Sequence, residues 1–380
     1  MADRALCAAA ASSLAAVPRD RRPTVTVGFD GFIDNIIDVV AKRADAASYS
    51  SMATIAELGG RITAAAGQST NFELVIKQSK IGGNGPIMAN ALCSYDYAVT
   101  AVGILGEGAI DPVFQPLADR AAKTISLGGA GTTDALEFSD GKIMLGKLLP
   151  LDQVTYKTLV ERLGIDGLKN LMRQADAIAM VNWTMTMGMT EIWRRFAAEL
   201  LPGLRQDRPL IFVDLADPAK RTVTDLRAAF AALKELQRHA DVLLGMNGAE
   251  LRQVLTALDI AVPVAEPEWE AARRGCELVQ QHLGISWAMC HLVKSAACAW
   301  GDSAKRKAGS VGAEGFFEPK PQITTGAGDH FNAGFVAALL VGIEPAHALL
   351  IGGATSGYYV RTAVSPARDQ VVSFLKQNAG

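Results

Sequence analysis

The residues best suited to chemistry in this sequence lie near its C-terminus. There the turn Gly326-Ala327-Gly328 is followed at once by Asp329 and then by a long apolar run, residues 331–340. Glycines let an anion approach the main chain closely, because no Cβ stands in the way. A carboxylate beside such a turn can take a proton from an attacking hydroxyl group. The segment therefore favours phosphoryl transfer to an alcohol, a reaction catalysed mostly by positioning and electrostatics.

The apolar run predicts the element that would position this turn. Phe331, Phe335 and Leu339 recur at every fourth residue, so they share one face of a helix that should be buried and should begin at the glycines. The first turn of a helix has N–H groups without intrahelical partners and lies at the positive end of the helix dipole, which suits a phosphate group. A simpler interpretation is also open, since Asp in a first turn is often only a favourable partner of the dipole.

A second polar pair follows a predicted strand, residues 241–246. Asn247 and Glu250 are three residues apart in the first turn of the next predicted helix, so they face the same way. They could hold a hydrated Mg²⁺ ion beside phosphate oxygens, since Mg²⁺ takes oxygen ligands and keeps several waters. The alternative is a capping box, in which Asn and Glu satisfy each other's main-chain N–H groups. Taken alone, the pair favours the capping box.

Composition and motif content exclude several other classes of protein. The net charge of -2 gives no basic footprint, so we expect no nucleic-acid partner. The five cysteines form no CxxC pair and their number is odd, which argues against a disulfide framework and favours a cytoplasmic setting. No apolar run reaches the roughly 18 residues that a membrane span needs. A P-loop and a GxGxxG after the first strand are both absent.

The order of apolar runs predicts the architecture. Residues 5–17 are Ala-rich but do not indicate a signal peptide, because Asp3 and Arg4 leave the start without net positive charge and the apolar core is weak; we therefore predict a helical N-terminal extension over residues 1–22. From residue 23 to 380, strand patterns alternate with helical ones, which predicts one α/β domain with a central, mostly parallel sheet flanked by helices. A hairpin over 134–148 would add a small β insertion, and residues 38–66 have the composition of a helix.

Taken together, the polar segments resemble the ribokinase (PfkB) family of sugar kinases. The chain carries, in the family's order, Asp34, Gly82-Gly83-Asn84, Asn247-x-x-Glu250 and Gly326-Ala327-Gly328-Asp329. The resemblance covers residues 23–370, and its C-terminal signature is highly specific. It implies a ribokinase-like fold.

Membership of that family would imply a small β-sheet lid that closes over the sugar. Segments of about 36–80 and 110–148 would supply this lid. Lid sheets in this family often pair between subunits, so the resemblance also implies a possible homodimer through the lid. The sequence itself does not name the sugar.

The resemblance further implies an ATP- and Mg²⁺-dependent kinase that phosphorylates a hydroxymethyl group of a small sugar or sugar derivative. Asp329 would be the general base, and the main chain of Gly326, Ala327 and Gly328 would form the anion hole. The residues implied in acceptor binding are Asp30, Asp34, Gly83 and Asn84. The residues implied in nucleotide binding are Asn247, Ser295, Thr325, Gly353 and Ser356. Asn247 and Glu250 would organise Mg²⁺ through water.

Three positions depart from the family pattern. Ile323 stands where the signature usually opens with Asp, which contributes to a monovalent-cation site in some relatives, so potassium activation is not expected. His330 replaces the small residue usual after the catalytic Asp, and packing, capping or contact with a substrate are all open to it. Ile87 replaces an Asn often found after the Gly-Gly pair, so sugar recognition should differ from that of ribokinase.

Three alternative functions also stay open. A nucleoside could be the acceptor, and an aromatic platform formed by Phe29, Phe32 or Trp183 would favour it. ADP could be the donor, because residues 28–34 and 82–90 also resemble the ADP-dependent glucokinases and phosphofructokinases. A non-catalytic sugar or nucleotide sensor could keep the same fold, but the intact Asp and glycine turn argue against it.

Overall fold

A nine-stranded sheet runs through the part of the chain that the computed structural model describes, residues 3–204, 208–303 and 306–379. Residues 1–2 of the predicted N-terminal extension and residue 380 of the predicted α/β domain lie outside the described residues. With strands numbered along the chain, the spatial order is β14 (Gly309–Glu314), β13 (Ser295–Trp300), β12 (Trp287–His291), β11 (Asp241–Asn247), β10 (Leu210–Asp214), β9 (Ala177–Met180), β1 (Thr24–Phe29), β5 (Ala98–Gly103) and β6 (Lys123–Ser126). Neighbouring strands are parallel from β6 to β12, and β13 and β14 form an antiparallel edge.

Side chains of the central strands point alternately into two hydrophobic layers. In β10, Ile211 and Val213 pack into one layer and Phe212 into the other. The first layer is covered by α5 (Tyr156–Gln174), α6 (Met189–Arg195), α7 (Val223–Gln237), α8 (Gly248–Ala257) and α9 (Glu268–Leu283). The second is covered by α1 (Arg4–Ala15), α3 (Asn84–Ser94), α4 (Gln115–Ala118), α10 (Ala327–Leu340), α11 (Pro345–Thr362) and α12 (Arg368–Gln377). Burial on both faces explains the continuous apolar strand sequences and confirms the predicted α/β class.

A second, five-stranded sheet forms the lid. Its strands are β2 (Phe32–Arg43), β3 (Tyr49–Ser51), β4 (Leu74–Gly82), β7 (Gly131–Phe138) and β8 (Gly141–Lys147), and α2 (Ile55–Ala64) packs on it. β2 pairs antiparallel with β3 and β4 and parallel with β7. Ile37, Val39, Met52, Leu58 and Leu136 form a separate small core between sheet and helix. The predicted hairpin is confirmed as β7–β8.

The predicted helix over residues 38–66 is wrong in its first half. Strand β2 continues to Arg43, and α2 begins only after its N-cap Thr54. Ile36, Ile37, Val39 and Val40 are β-branched residues, which favour a strand, and pairing with β4 holds them there. Long-range strand pairing has therefore overridden a local composition that resembles a helix.

The second predicted lid segment, 110–148, is too long. Residues 110–130 belong to the main body, because Phe114 and Leu117 pack into its second hydrophobic layer and β6 joins the central sheet. Only the part from Gly131 onward belongs to the lid. The N-terminal segment forms α1, which buries Cys7, Ala10, Ala11 and Leu14 in the same hydrophobic layer and contacts α11 and α12.

Six helices and strands of the body were not predicted: α4, α5, α12, β6 and the edge strands β13 and β14. In the described part of the chain, no helix is both long and apolar enough to cross a membrane.

Candidate active site

Helix α10 begins directly at the glycine-rich turn. Gly326 is its N-cap and has a φ of 88°, which favours glycine. A Cβ on Gly326 would lie 3.2 Å from Ile87 Cγ2 and 3.3 Å from Tyr359 Oη, so the position also lacks space for a side chain. Residues 329–338 of the helix are all buried. The predicted buried helix is confirmed.

Two main-chain amides of this turn are free to bind an anion. The N–H groups of Gly326 and Gly328 have no acceptor among the described residues, whereas the Ala327 N–H donates to the Thr324 carbonyl at 3.1 Å. The anion hole predicted from the sequence therefore contains two available amides rather than three. The predicted role of the Ala327 N–H as a donor to the anion is therefore corrected: this N–H is already used within the turn.

Asp329 is held at this helix terminus by one hydrogen bond. Its side chain is buried, and its Oδ1 accepts from Asn84 Nδ2 at 2.8 Å. Burial above all, together with the charges of Asp30 and Glu250, raises the pKa of Asp329 to about 8, although the hydrogen bond from Asn84 opposes the shift. Asp329 is therefore a much stronger base than an exposed aspartate.

Asp30 lies behind the cavity wall. It is 1% exposed, and its carboxylate accepts from the N–H groups of Asn84 at 2.9 Å and Gly85 at 2.8 Å and from Asn182 Nδ2 at 2.8 Å. These bonds satisfy the first amides of α3 and fix Asn84, whose side chain reaches Asp329. The structure thus corrects the predicted contact of Asp30 with the acceptor, because this carboxylate holds α3 in place.

The remaining predicted acceptor residues come together at one cavity, which we call the lid-side cavity. It has a volume of about 930 Å³, and its lining includes Asn84 and Asp329 from the main body, Gly83 at the junction of β4 and α3, and Asp34, Thr133, Met144 and Gly146 from the lid strands. Asp34 projects from β2, and a Cβ on Gly82 would lie 2.4 Å from its carboxyl group. Gly82 therefore leaves the room that Asp34 occupies. Burial raises the pKa of Asp34, and Lys80 lowers it in part.

Most predicted nucleotide residues meet at a second cavity, the sheet-edge cavity, with a volume of about 530 Å³. Asn247, Ser295, Gly353 and Ser356 all line it, together with Gly328 at the start of α10. Thr325 does not: it lines the lid-side cavity, so its predicted place beside the nucleotide is corrected. The turn of residues 324–329 thus contributes to both cavities and separates them.

Asn247 and Glu250 form the capping box that the sequence left open. Asn247 Oδ1 accepts from the amides of Ala249 at 2.9 Å and Glu250 at 3.0 Å, and Glu250 Oε2 accepts from the Asn247 amide at 2.8 Å. Glu250 Oε1 accepts from the Asp217 amide at 3.0 Å, so both of its oxygens are engaged. Asn247 lines the sheet-edge cavity, while Glu250 lies behind it and is 5% exposed.

The carboxylates of the site repel one another. Burial raises the pKa of Asp214, and the charges of Glu250 and Asp329 raise it further. Burial likewise raises the pKa of Glu250. A cation bound nearby would relieve this repulsion, so the donor set fits Mg²⁺ held partly through water. Among the residues that the structure describes, no cluster of three or more His, Cys, Asp or Glu side chains could hold a metal ion.

His330 is a packed residue. Its Nδ1 lies 2.7 Å from the Gly326 carbonyl oxygen, and its ring stacks on that of Tyr359 with centroids 3.6 Å apart. Of the aromatic residues that could form a platform for a base, Phe29 and Trp183 are fully buried, and only Phe32 lines the lid-side cavity. This arrangement does not favour a nucleoside acceptor.

Sequence reasoning missed several residues that face the cavities. His291 lines the sheet-edge cavity, and its ring lies 3.0 Å from where a Cβ on Gly328 would be. Thr184 and Arg221 line the lid-side cavity, and Thr184 Oγ1 and Arg221 Nε have no hydrogen-bond partner among the described residues. The position of His291 at the end of a predicted strand could have indicated its place in the site. No sequence pattern indicates Arg221, whose guanidinium group lies 4.2 Å from the centre of the Trp183 ring.

The geometry suits transfer of an anionic group between two ligands. A buried carboxylate and two free amides lie at one helix terminus, with one cavity on each side.

Solved structures share the fold: ribokinase of Arabidopsis thaliana complexed with ribose and ATP aligns with a TM-score of 0.61 and 18% identity, covering 93% of this chain and 99% of that one. A mutant of phosphofructokinase-2 from Escherichia coli aligns with a TM-score of 0.62 and 12% identity, covering 94% and 99%.

Fold and sequence together define a carbohydrate kinase of the ribokinase (PfkB) family, a phosphotransferase with an alcohol group as acceptor. The profile of the prokaryotic ketohexokinase family matches residues 2–378, and the chain belongs to that family. A ketohexokinase of Haloferax volcanii is 28% identical over 352 residues, which covers 92% of this chain and 90% of the relative.

The burial of Asp329 predicts that its ionised carboxylate lowers the free energy of unfolding of the protein. We expect Asp329→Asn to raise the free energy of unfolding at pH 8 by about 1–3 kcal/mol, because the variant no longer buries a charge. Below pH about 4 the carboxyl group is protonated in both states, so wild type and variant should differ little. Between about 4 and 8 the unfolded chain releases a proton that the folded chain keeps, and the wild type should lose stability relative to the variant.

Urea unfolding of both proteins between pH 4 and pH 9 measures this difference. A variant that is less stable than the wild type at pH 8 would contradict the prediction.

Proposed function

We propose that this protein transfers the γ-phosphoryl group of ATP, with Mg²⁺, to a hydroxymethyl group of a ketohexose, and that Asp329 is the general base. The observation that carries the proposal is the position of the α10 N-terminus between the two cavities. Family membership supports the ketohexose as acceptor, because the Haloferax relative is a ketohexokinase.

The sheet-edge cavity is the proposed ATP site. It lies at the carboxyl ends of β11 and β12, where ligands of α/β sheets bind, and α10 points its N-terminus toward it. Gly353 and Ser356 on α11 line the same cavity and would flank the base. Asn247 and Glu250 would hold Mg²⁺ through water. When bound, Mg²⁺ would neutralise charge on the phosphate oxygens.

The lid-side cavity is the proposed acceptor site. Asp34 and Asn84 line it beside Asp329 and can hydrogen-bond to the hydroxyl groups of a sugar. Thr184 Oγ1 and Arg221 Nε supply further polar atoms without a hydrogen-bond partner among the described residues, although Arg221 Nε lies 3.7 Å from Asp225 Oδ2, and such buried atoms are costly unless a ligand or water satisfies them. Lid strands β7 and β8 cover this cavity, so closure would exclude water from the reaction.

In the proposed reaction, the ionised Asp329 accepts the proton of the acceptor's hydroxyl group. The hydroxyl oxygen forms a new bond to the γ-phosphorus while the bond from that phosphorus to the β–γ bridging oxygen breaks and ADP leaves. The free amides of Gly326 and Gly328 would donate to oxygens of the phosphoryl group as it passes between the cavities. The raised pKa of Asp329 suits a base that works near neutral pH.

We expect Asp329→Asn to lower kcat by about 10²- to 10⁴-fold, because the amide cannot accept the proton. Nucleotide affinity should change little, since the sheet-edge cavity is intact. A coupled ADP-release assay with ATP, Mg²⁺ and D-fructose measures the first effect, and calorimetric titration with nucleotide measures the second.

Asp369→Asn is the matched control for this variant. Asp369 also stands in the first turn of a helix, but its side chain is exposed and lies in α12, away from both cavities. Loss of its interaction with the helix dipole should leave kcat unchanged. Full turnover by Asp329→Asn would reduce Asp329 to a dipole partner and overturn the mechanism.

The donor is tested in the same assay with ADP in place of ATP. Turnover with ADP alone would move the protein to the ADP-dependent sugar kinases. Nucleotide binding without turnover on any sugar or nucleoside would favour the sensor.

We also propose a homodimer through the lid. Leu74 and Ile76 on β4 and Leu145 on β8 share the face that carries the lid core, yet they are 44%, 57% and 48% exposed. A second copy of the lid would cover this apolar face.

Ile76→Glu should therefore convert a dimer to a monomer in light scattering coupled to size-exclusion chromatography. Val264→Glu is the control, because Val264 is 91% exposed in a loop of the main body. A wild type that is monomeric at all accessible concentrations would contradict the dimer.

A further inference from the structure

Two side chains behind the glycine turn hold two successive carbonyl groups of it. Tyr359 Oη donates to the Thr325 carbonyl at 3.0 Å, and His330 Nδ1 lies 2.7 Å from the Gly326 carbonyl oxygen. The two rings stack almost parallel, with 12° between their planes. The bonds and the stacking together tie the turn to α10 and α11.

The hydrogen bonds define the form of His330. A carbonyl oxygen only accepts, so Nδ1 must carry the proton and Nε2 must accept from Ser365 Oγ, 2.8 Å away. Ser365 in turn accepts from Asn90 Nδ2 at 2.9 Å, and Asn90 accepts from Arg120. Burial lowers the pKa of His330 to about 4, which keeps this neutral form over the physiological range. The tautomer is thus fixed from both sides of the ring.

Peptide geometry connects these bonds with the anion hole. The peptide between Thr325 and Gly326 is trans and planar, so its carbonyl and its N–H point in opposite directions. When Tyr359 holds the Thr325 carbonyl, the Gly326 N–H is directed away from Tyr359 and has no protein acceptor. The next carbonyl, that of Gly326, accepts from both the main-chain N–H of His330 at 3.1 Å and its Nδ1 at 2.7 Å, and the same peptide supplies the Ala327 N–H that closes the turn on Thr324.

We propose that Tyr359 and His330 are positioning residues that pre-orient the free Gly326 amide toward the transferring phosphoryl group. Neither side chain lines either cavity, so both act through the main chain of the turn rather than by touching a substrate. The proposal rests on the proposed function and adds to it. It assigns His330, which departs from the family pattern, a role in catalysis that needs no contact with a substrate.

Single substitutions separate this role from simple packing. Tyr359→Phe removes one hydroxyl group, and His330→Leu removes the donor to Gly326 while filling a similar space. His330→Asn keeps an N–H near the position of Nδ1 and should rescue most of the loss. The control is Tyr97→Phe, because the Tyr97 hydroxyl is also buried and donates to the Ala337 carbonyl of α10 at 2.7 Å, far along the helix from the turn.

We expect Tyr359→Phe and His330→Leu each to lower kcat by about tenfold to a hundredfold, comparable to or less than the loss of one oxyanion-hole donor. KM for D-fructose and the Kd for ADP should stay within about twofold of wild type. Binding of ADP with aluminium fluoride and D-fructose, which mimics the phosphoryl group in transfer, should weaken in parallel with kcat. Tyr97→Phe should lower Tm without changing kcat.

An unchanged kcat in Tyr359→Phe and His330→Leu, with a loss of Tm like that of Tyr97→Phe, would show that the residues only pack and would overturn the proposal. A crystal structure of Tyr359→Phe gives a second readout that needs no turnover. A rotated Thr325–Gly326 peptide supports the proposal, and an unmoved peptide contradicts it. If wild type fails to phosphorylate any sugar, the proposed function fails, and the orientation of this peptide still decides the positioning role.

Discussion

The site depends on one constraint: a carboxylate must be buried deeply enough to be basic and still be held in one orientation. Asp329 meets it through a single bond from Asn84, which is itself fixed because Asp30 binds the first amides of α3. Three segments far apart in sequence thus meet at one buried carboxylate. Burial contributes most to the raised pKa of Asp329, and the charges of Asp30 and Glu250 add to it.

Two parts of the fold bring the residues of the site together: the ends of the parallel strands and the start of α10. The parallel sheet brings the ends of β1, β9, β10, β11 and β12 to one edge, where polar residues such as Asn182 and Asn247 follow apolar strands. The buried helix α10 then points its free amides at that edge, and the lid covers the other side. Within the described part of the chain, the first residues of α10 line both cavities: Gly328 lines the sheet-edge cavity and Asp329 lines the lid-side cavity.

Features encoded in short contiguous segments could be predicted from the sequence. The buried helix after Gly326 and the α/β class follow from local patterns, and the grouping of Asp34, Gly83 and Asn84 follows from the family resemblance of their short motifs. Features that depend on distant partners could not. Residues 38–43 are a strand because β4 and β3 pair with them, and Asp30 faces inward because α3 packs above it. The bond of the Tyr359 hydroxyl to the turn joins residues 34 positions apart, and no spacing in the sequence indicates it.

Two hydroxymethyl groups distinguish a ketohexose from most other acceptors, so the identity of the product tests the account most directly. We would incubate the wild-type protein with ATP, Mg²⁺ and uniformly ¹³C-labelled D-fructose and locate the new phosphate ester by ¹³C and ³¹P NMR. The account predicts stoichiometric ADP and a phosphomonoester on a primary carbon, with coupling between that carbon and phosphorus. An ester on a ring hydroxyl group, or the absence of any sugar phosphate while ATP binds, would contradict it.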